Sequence, residues 1–408
     1  MQMPSVAVEE TRGGPSGRAL AQVSARPEAA FLSAEDRQRA FERFEESSAQ
    51  RERPGRYWKI DLDALDLSNY DPEIANPGNL AEVDMPPHDR VVVTDLLTAS
   101  RRHPDVFRQA LGSALGDAPS KFAALARAFA SGGAFVYVPP GVALDAPIEL
   151  NYRPRTGASF PYTLVVAGDG AQCTVVVRTV SDATGVLSCG VTEVVAGERA
   201  RVDVACVQSL APDAVAIGTC IATGSAGAFV HFCSAQFGAR LAIEALEIDV
   251  DAREMDANIS LLFFPRDEQH VDVLSTVEHR VGDSRSDTLV KSAASGAGQA
   301  RYLGNIRIHP SAHLSDARLK DDALLLSRAA HIDSVPALEI AANDVKAYHG
   351  ATVGAIDEAL LFYMESRGLD PQAAERMIAL GFFEPAVERF PASVRAELRD
   401  ALEAKVKK

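Results

Sequence analysis

His349 stands between Tyr348 and Gly350, and a glycine lets the backbone turn so that an imidazole can face a partner or a metal. A lone histidine more often serves as a structural hydrogen-bonder, so the residue by itself leaves both roles open. His309 and His313, with Asp316 near, have a spacing that would suit a metal on a helix. They follow a strand-like run and flank Pro310-Ser311, which keeps them off a common face. His270 and His279 fall in a polar strand-and-turn region and are expected at the surface or in a strand ladder. Asp321-Asp322, ahead of Ala323 to Leu326, is expected as a solvated turn. Thiol chemistry rests on five cysteines, Cys173, Cys189, Cys206, Cys220 and Cys233, all in the middle of the chain. No CxxC pair occurs, so neither a zinc knuckle nor a ferredoxin-type motif is written locally. The plain reading is small buried hydrophobes in strands; the near-regular spacing adds that some thiols would share a column if the strands stack in coils of similar length.

The elements that position these groups can be read from period and punctuation. His349 lies in an extended segment, Leu338 to Val353, broken by Gly350 and Gly354. Asp357 then caps a helix with Leu360, Leu361 and Met364 on one apolar face, ended by Arg367 and Gly368. Asp370-Pro371 opens a second helix, with Gly381 expected as its stop, and a third follows Pro391 through Val394, Leu398 and Leu402. Short helices with an apolar face must lie against something, either the rest of this chain or another protein.

The whole chain divides into parts. Residues 1–30, rich in Pro, Gly, Ser and Ala without periodicity, read as a disordered tail. Residues 31–133 read as a helical, irregular region. Ser33 and Asp36 open one helix to about Ala49, and others are expected over about Asp105 to Leu115 and Lys121 to Ala130, before Gly132-Gly133. Ser68 to Arg90 is turn-rich. Across 134–356 the period changes to two, as in Cys173, Val175, Val177 and Val202, Val204, Cys206, which demands an all-β unit. Periodicity does not choose between a sandwich, a barrel and a parallel β-helix. Residues 357–408 form a C-terminal helical subdomain.

Composition narrows the classes of function. With 41 basic and 56 acidic side chains the formal charge is -15, which disfavours an electrostatic grip on nucleic acid or an anionic membrane. The opening MQMPSVAVEETRGG has early acids and no apolar core, and no apolar run approaches a membrane span, so a cytoplasmic location is expected. No Walker motif is present, so an ATPase activity would have to come from a partner.

Several motifs together resemble the SufB/SufD family, core subunits of the SUF iron-sulfur cluster assembly machinery. They are Pro336, Glu339, His349 to Thr352, Phe362-Tyr363, Ser366 to Gly368 and Gly381-Phe382, with KFAALARAFASGGAFVYVPPGVALDAPIEL from Lys121 to Leu150, LGNIRI from Leu303 to Ile308 and RYWKID from Arg56 to Asp61. The resemblance covers roughly residues 50 to 392. It implies a right-handed parallel β-helix core flanked by N-terminal and C-terminal helical subdomains. It also implies a non-enzymatic assembly subunit working with a SufB-like paralogue and a SufC-like ABC-type ATPase. By the same resemblance His349 is an iron or cluster ligand at the heterodimer interface, with Glu339, Tyr348, Gly350 and Thr352 at that interface. The ATPase subunit would dock on Asp357 to Phe390, with Leu361, Phe362, Tyr363, Arg367, Gly381 and Phe382 as contacts. No cofactor is expected to bind tightly to this chain alone; iron or a cluster would be held transiently between subunits.

The departures refine the resemblance. SufB-type scaffolds carry a cysteine where this chain has Asp321 and a glutamate where it has Gly350, and many SufD chains have a cysteine at the place of Ala347. The chain therefore looks SufD-like. Two alternatives stay open: a SufB-like homodimeric scaffold with SufC, and a β-helix enzyme acting on polysaccharide, for which clustered catalytic acids would be needed.

Overall fold

The computed structural model describes residues 16–47, 65, 67, 70, 81–116 and 120–407. The motif at Arg56 to Asp61, residues 1–15 of the expected tail and most of the turn-rich stretch before Ala81 lie outside the described residues. Strands β1 (Glu82–Asp84) and β2 (Val92–Thr94) are followed by β3 (Gly132–Val138), β4 (Ile148–Tyr152), β5 (Ala158–Ser159), β6 (Pro161–Ala167), β7 (Gln172–Ser181), β8 (Leu187–Ala196), β9 (Arg201–Leu210) and β10 (Val215–Gly224). Then come β11 (Phe229–Gln236), β12 (Leu241–Val250), β13 (Asp256–Phe263), β14 (Arg266–Asp267), β15 (His270–His279), β16 (Arg285–Gly296), β17 (Gln299–Ile308), β18 (Asp316–Leu325), β19 (His331–Ile340) and β20 (Lys346–Ala355). One sheet, here sheet A, is ordered β1-β4-β7-β9-β11-β13-β16-β18-β20; the other, sheet B, is ordered β2-β3-β6-β8-β10-β12-β15-β17-β19. From β6 onward consecutive strands alternate between the sheets, the two-residue β14 aside, and within each sheet the pairings are parallel except for β1 with β4 and β2 with β3. The result is a parallel β-helix of about eight turns.

Period-two sequence explains the stack. Val202 and Val204, Val230 and Phe232, Ile259 and Leu261 point inward from sheet A and meet Val271, Val273, Ile306 and Ile308 of sheet B in one core. A parallel sheet needs cover on its outer face as well. Helix α1 (Gly17–Ser24), α2 (Ala34–Glu46), α3 (Leu96–Arg102), α4 (Pro104–Ala110) and α5 (Lys121–Phe129) supply it for the first coils of sheet B, where Phe122 and Phe129 share a buried cluster with Val215, Ile217 and Ile243. On sheet A, Phe383, Val387 and Val394 close over Val176, Ala205 and Leu262. They come from helices α7 (Pro371–Val387) and α8 (Ala392–Val406), which follow the short α6 (Glu358–Ser366).

Three expectations are corrected. Residues 17–24 are not tail: Ser16 caps α1, which buries Ala19, Leu20 and Val23. The helix expected to reach Leu115 ends at Ala110, and α3, capped by Asp95, precedes it. Gly381 does not stop its helix; α7 continues to Val387 because the next turn buries Phe383, Ala386 and Val387, with Phe383 against Phe264 at 5.9 Å between ring centroids. Burial of one phenyl ring, about 2 kcal/mol, outweighs the glycine penalty of about 1 kcal/mol. Gly133 marks a close approach as well as a helix end: at φ +148° a Cβ there would fall 1.8 Å from the carbonyl oxygen of Tyr162.

Candidate functional site: the last coil and the helix beyond it

The β-helix ends in two strands that have a neighbour on one side only. β20 pairs with β18, and β19 with β17, so each is the edge of its sheet among the described residues. Their surface is unlike that of earlier coils: Val335, Ile340, Tyr348 and Val353 are all exposed. An exposed pair of edge strands with apolar side chains is a surface prepared for pairing. His349 lies here, in register with Leu319 of the coil below, and it is exposed. Leu319 is buried in the core, so His349 continues an inward-facing column at the point where the column runs out of chain. Glu339 and Thr352 share this end; Glu339 pairs with Arg307 at 3.4 Å, and the Thr352 hydroxyl donates to Asp322 at 2.8 Å. Tyr348 lies over Gly350: a Cβ at 350 would meet the Tyr348 Oη at 2.6 Å, so any larger residue there displaces the tyrosine ring.

Asp321 is one coil below Ala351 and is fully buried, which corrects the expectation of a solvated turn. It faces inward because it continues the alternation of Ala317 and Leu319. Ser334 donates to its Oδ2, while Oδ1 has no partner among the described residues. Burial pushes this carboxyl up to about 7, with the neighbouring Asp322 adding to the effect. Asp322 faces the other way and is tied to Lys291 at 2.8 Å. Burial raises its carboxyl pKa but bonds from Lys291 and Thr352 outweigh it, and the net shift is downward.

Two other histidines are held by partners within the chain. Of the two places expected for it, His279 takes the strand ladder, at the end of β15, where it is buried between Ser284 and Ser286 at 2.8 and 2.9 Å. Burial lowers its pKa to about 4. His309 pairs with Glu278 at 2.6 Å in the turn after β17. Among the described residues no three His, Cys, Asp or Glu side chains come together as a metal site, so a ligand role for His349 needs further donors from beyond the described residues. The cysteines do not form a column: the register pairs Cys206 with Val177 and Ser234, and Cys220 with Thr192 and Leu246.

Helix α6 buries none of its residues. Phe362 is 71% exposed, Tyr363 and Leu360 are exposed, and Arg367 stacks on the Tyr363 ring at 5.1 Å. Leu361 and Met364 are half-buried. Gly381 faces solvent on α7, whereas Phe382 is half-buried under Lys291, whose Nζ lies 4.3 Å from its ring centroid.

Sequence reasoning did not single out Glu193 or Glu244. Glu193 is buried on β8 and accepts from the backbone of Gly112, Ala114 and Leu115 at 2.8 to 3.0 Å and from the Tyr162 hydroxyl at 2.5 Å. Glu244 is buried on β12 and accepts from Ser234 and Gln236 at 2.5 and 2.9 Å. The available signal was a lone carboxylate inside an apolar strand in LSCGVTEVVA and, in LAIEALEIDV, a carboxylate on the same alternation as Ala242, Leu246 and Ile248.

Residues 151–382 match the family model described as SUF system FeS cluster assembly, SufBD core domain. An iron-sulfur cluster assembly SufBD family protein of Mycobacterium leprae is 29% identical over 277 residues, covering 66% of this chain and 31% of that protein. One of the same family from Staphylococcus haemolyticus is 26% identical over 316 residues, covering 76% of this chain and 67% of its own length. A Staphylococcus aureus member is 25% identical over a span of the same length. The chain thus spans about a third of the mycobacterial relative and two thirds of the staphylococcal ones.

Proposed function

Since this chain belongs to the SufB/SufD family of iron-sulfur cluster assembly proteins, we propose that it is the SufD-type subunit of a cytoplasmic assembly complex, without ATPase activity of its own. In this reading the last coil joins a SufB-like paralogue strand to strand, and His349 completes an iron or cluster site there. Asp357 to Phe390, led by α6, receives a SufC-like ATPase. The observation that carries the reading is the unpaired end of the β-helix with His349 exposed on its inward-facing column. Two residue identities favour the SufD-type role over that of the scaffold. A buried aspartic acid at 321 replaces the thiolate of the SufB pattern, and Gly350, covered by Tyr348, replaces its carboxylate. An imidazole alone is a poor cage but a good contributor to a shared, releasable site.

The experiment is co-expression of the full chain with a cysteine-bearing paralogue and an ATPase subunit, followed by native mass and iron determination. A heteromeric complex is expected, and His349→Ala is expected to lower its iron content without dissociating it. Recovery of a stable homodimer with the ATPase alone would replace this reading by the SufB-like one, and unchanged iron in His349→Ala would remove the ligand role.

A further inference from the structure

The interior of the β-helix is not filled evenly. One inward column of sheet B runs Gly190, Gly218, Glu244, Val273 and Tyr302, one residue per coil. Two successive coils thus carry only hydrogen where later coils carry valine and tyrosine. The space left is a cavity of about 70 Å³, lined by Tyr152, Thr192, Gln208, Gln236 and Glu244 together with two cysteines. Cys206 reaches it from β9 in sheet A and Cys220 from β10 in sheet B, with 3.6 Å between the sulfurs. Cys206, Gly190 and Gly218 line this space and are partly exposed although they face inward. A water needs only about 15 Å³ of such space, so the cavity admits several water-sized molecules.

We propose that this cavity is an oxidation site, in which a small hydroperoxide converts the Cys206–Cys220 dithiol to a disulfide. The sulfur of the partly exposed Cys206 attacks the terminal peroxide oxygen, the O–O bond breaks, and the other oxygen takes the thiol proton and leaves, as water when the oxidant is hydrogen peroxide, giving a sulfenic acid. The Cys220 sulfur then displaces the hydroxyl as a second water, forming the S–S bond. Each thiol gives up one electron and the peroxide accepts two. Contact with Cys206, and then burial, hold the Cys220 thiol well above its usual range, so the partly exposed Cys206 is the thiol that meets the peroxide first and Cys220 reacts only with the sulfenic acid formed beside it. The sulfurs must close from 3.6 Å to about 2.05 Å, a movement that the unfilled space beside them permits. Cys173, Cys189 and Cys233 are buried; Cys189 donates to the Phe122 carbonyl, and Cys233 lies against His231 and the Arg389 carbonyl.

The test uses the full chain, reduced, freed of reductant and treated with hydrogen peroxide before alkylation in denaturant. Two of the five thiols are expected to become unreactive, with a mass loss of two hydrogens. Cleavage before Asp213 should leave the pieces carrying Cys206 and Cys220 joined until they are reduced. Cys220→Ser should stop at a sulfenic acid that dimedone traps, and Cys206→Ser should abolish the reaction. Gly218→Ala keeps both thiols and places its methyl at ordinary contact with Glu244; it should slow oxidation while leaving the circular dichroism unchanged. Five reactive thiols after peroxide, a disulfide through Cys233, or an unchanged rate in Gly218→Ala would each overturn the proposal.

Discussion

Glu244, Asp321 and His279 are titratable groups buried on or beside the β-helix core, and they set opposite pH dependences. Burial raises Glu244 to about 7, against hydrogen bonds from Ser234 and Gln236 that lower it, and raises Asp321 likewise. A carboxyl whose folded pKa lies above its unfolded one contributes stability that is present below about 4 and is lost as pH rises through 7. His279, lowered to about 4, contributes stability present above about 6.5 and lost as pH falls through 4. Among these three groups, the two acids against one histidine give a net loss of stability on going from pH 4.5 to 7. Glu244→Gln keeps acceptors for both neighbours and removes the charge. Relative to wild type it should gain about 3 kcal/mol between pH 4.5 and pH 8. Urea unfolding at the two pH values checks this; an equal difference at both would mean that Glu244 is not buried as a neutral acid. These residues show where sequence reading ends. The pattern that makes Asp321 an inward residue is written in ARLKDDALL, yet Asp321-Asp322 reads as polar surface until strand register puts the two on opposite faces.

Helix α6 and strand β20 are elements that the described residues form but do not cover. Apolar periodicity and the Asp357 cap made α6 legible, because both are local. What the helix lacks is not local: α7 and α8 find their apolar counterpart on sheet A, while α6 lies beyond the last coil and keeps Phe362 and Tyr363 in solvent. The stop expected at Gly381 failed for the complementary reason, since tertiary burial of Phe383 extends α7 past a weak local signal. The double substitution Phe362→Asp with Tyr363→Asp therefore separates packing from docking. Its effect on thermal unfolding should stay within about 0.5 kcal/mol for exposed positions. If α6 is the proposed ATPase dock, recovery of a co-expressed SufC-like subunit should fall sharply. Undiminished recovery would move the dock elsewhere, and a large loss of stability would mean that α6 packs on this chain after all.

The molecule as a whole is a parallel stack closed by two different covers. The alternation of period two made an all-β middle between helical ends readable. The fact that β1 and β2 from the N-terminal region join the two sheets antiparallel was not readable, because three-residue strands carry no period. Nor was the fastening of the N-terminal cover. Glu193 reaches out from β8 to three backbone amides of the turn after α4, while Tyr162, from the neighbouring strand β6, donates to the same carboxylate. Glu193→Ala leaves these four donors without their acceptor and opens a gap under the turn, which costs about 3 to 5 kcal/mol for a buried, fully bonded carboxylate. The loss should be directional. Amide exchange should quicken in α4, the turn at 111–116 and α5, while the last coil around His349, at the far end of the stack, keeps its protection. Glu193→Gln retains one acceptor and should recover part of the loss. If Glu193→Ala instead unfolds the chain in a single transition with uniform exchange, the N-terminal cover and the coils form one cooperative unit. If it changes neither stability nor exchange, Glu193 is not what fastens the cover.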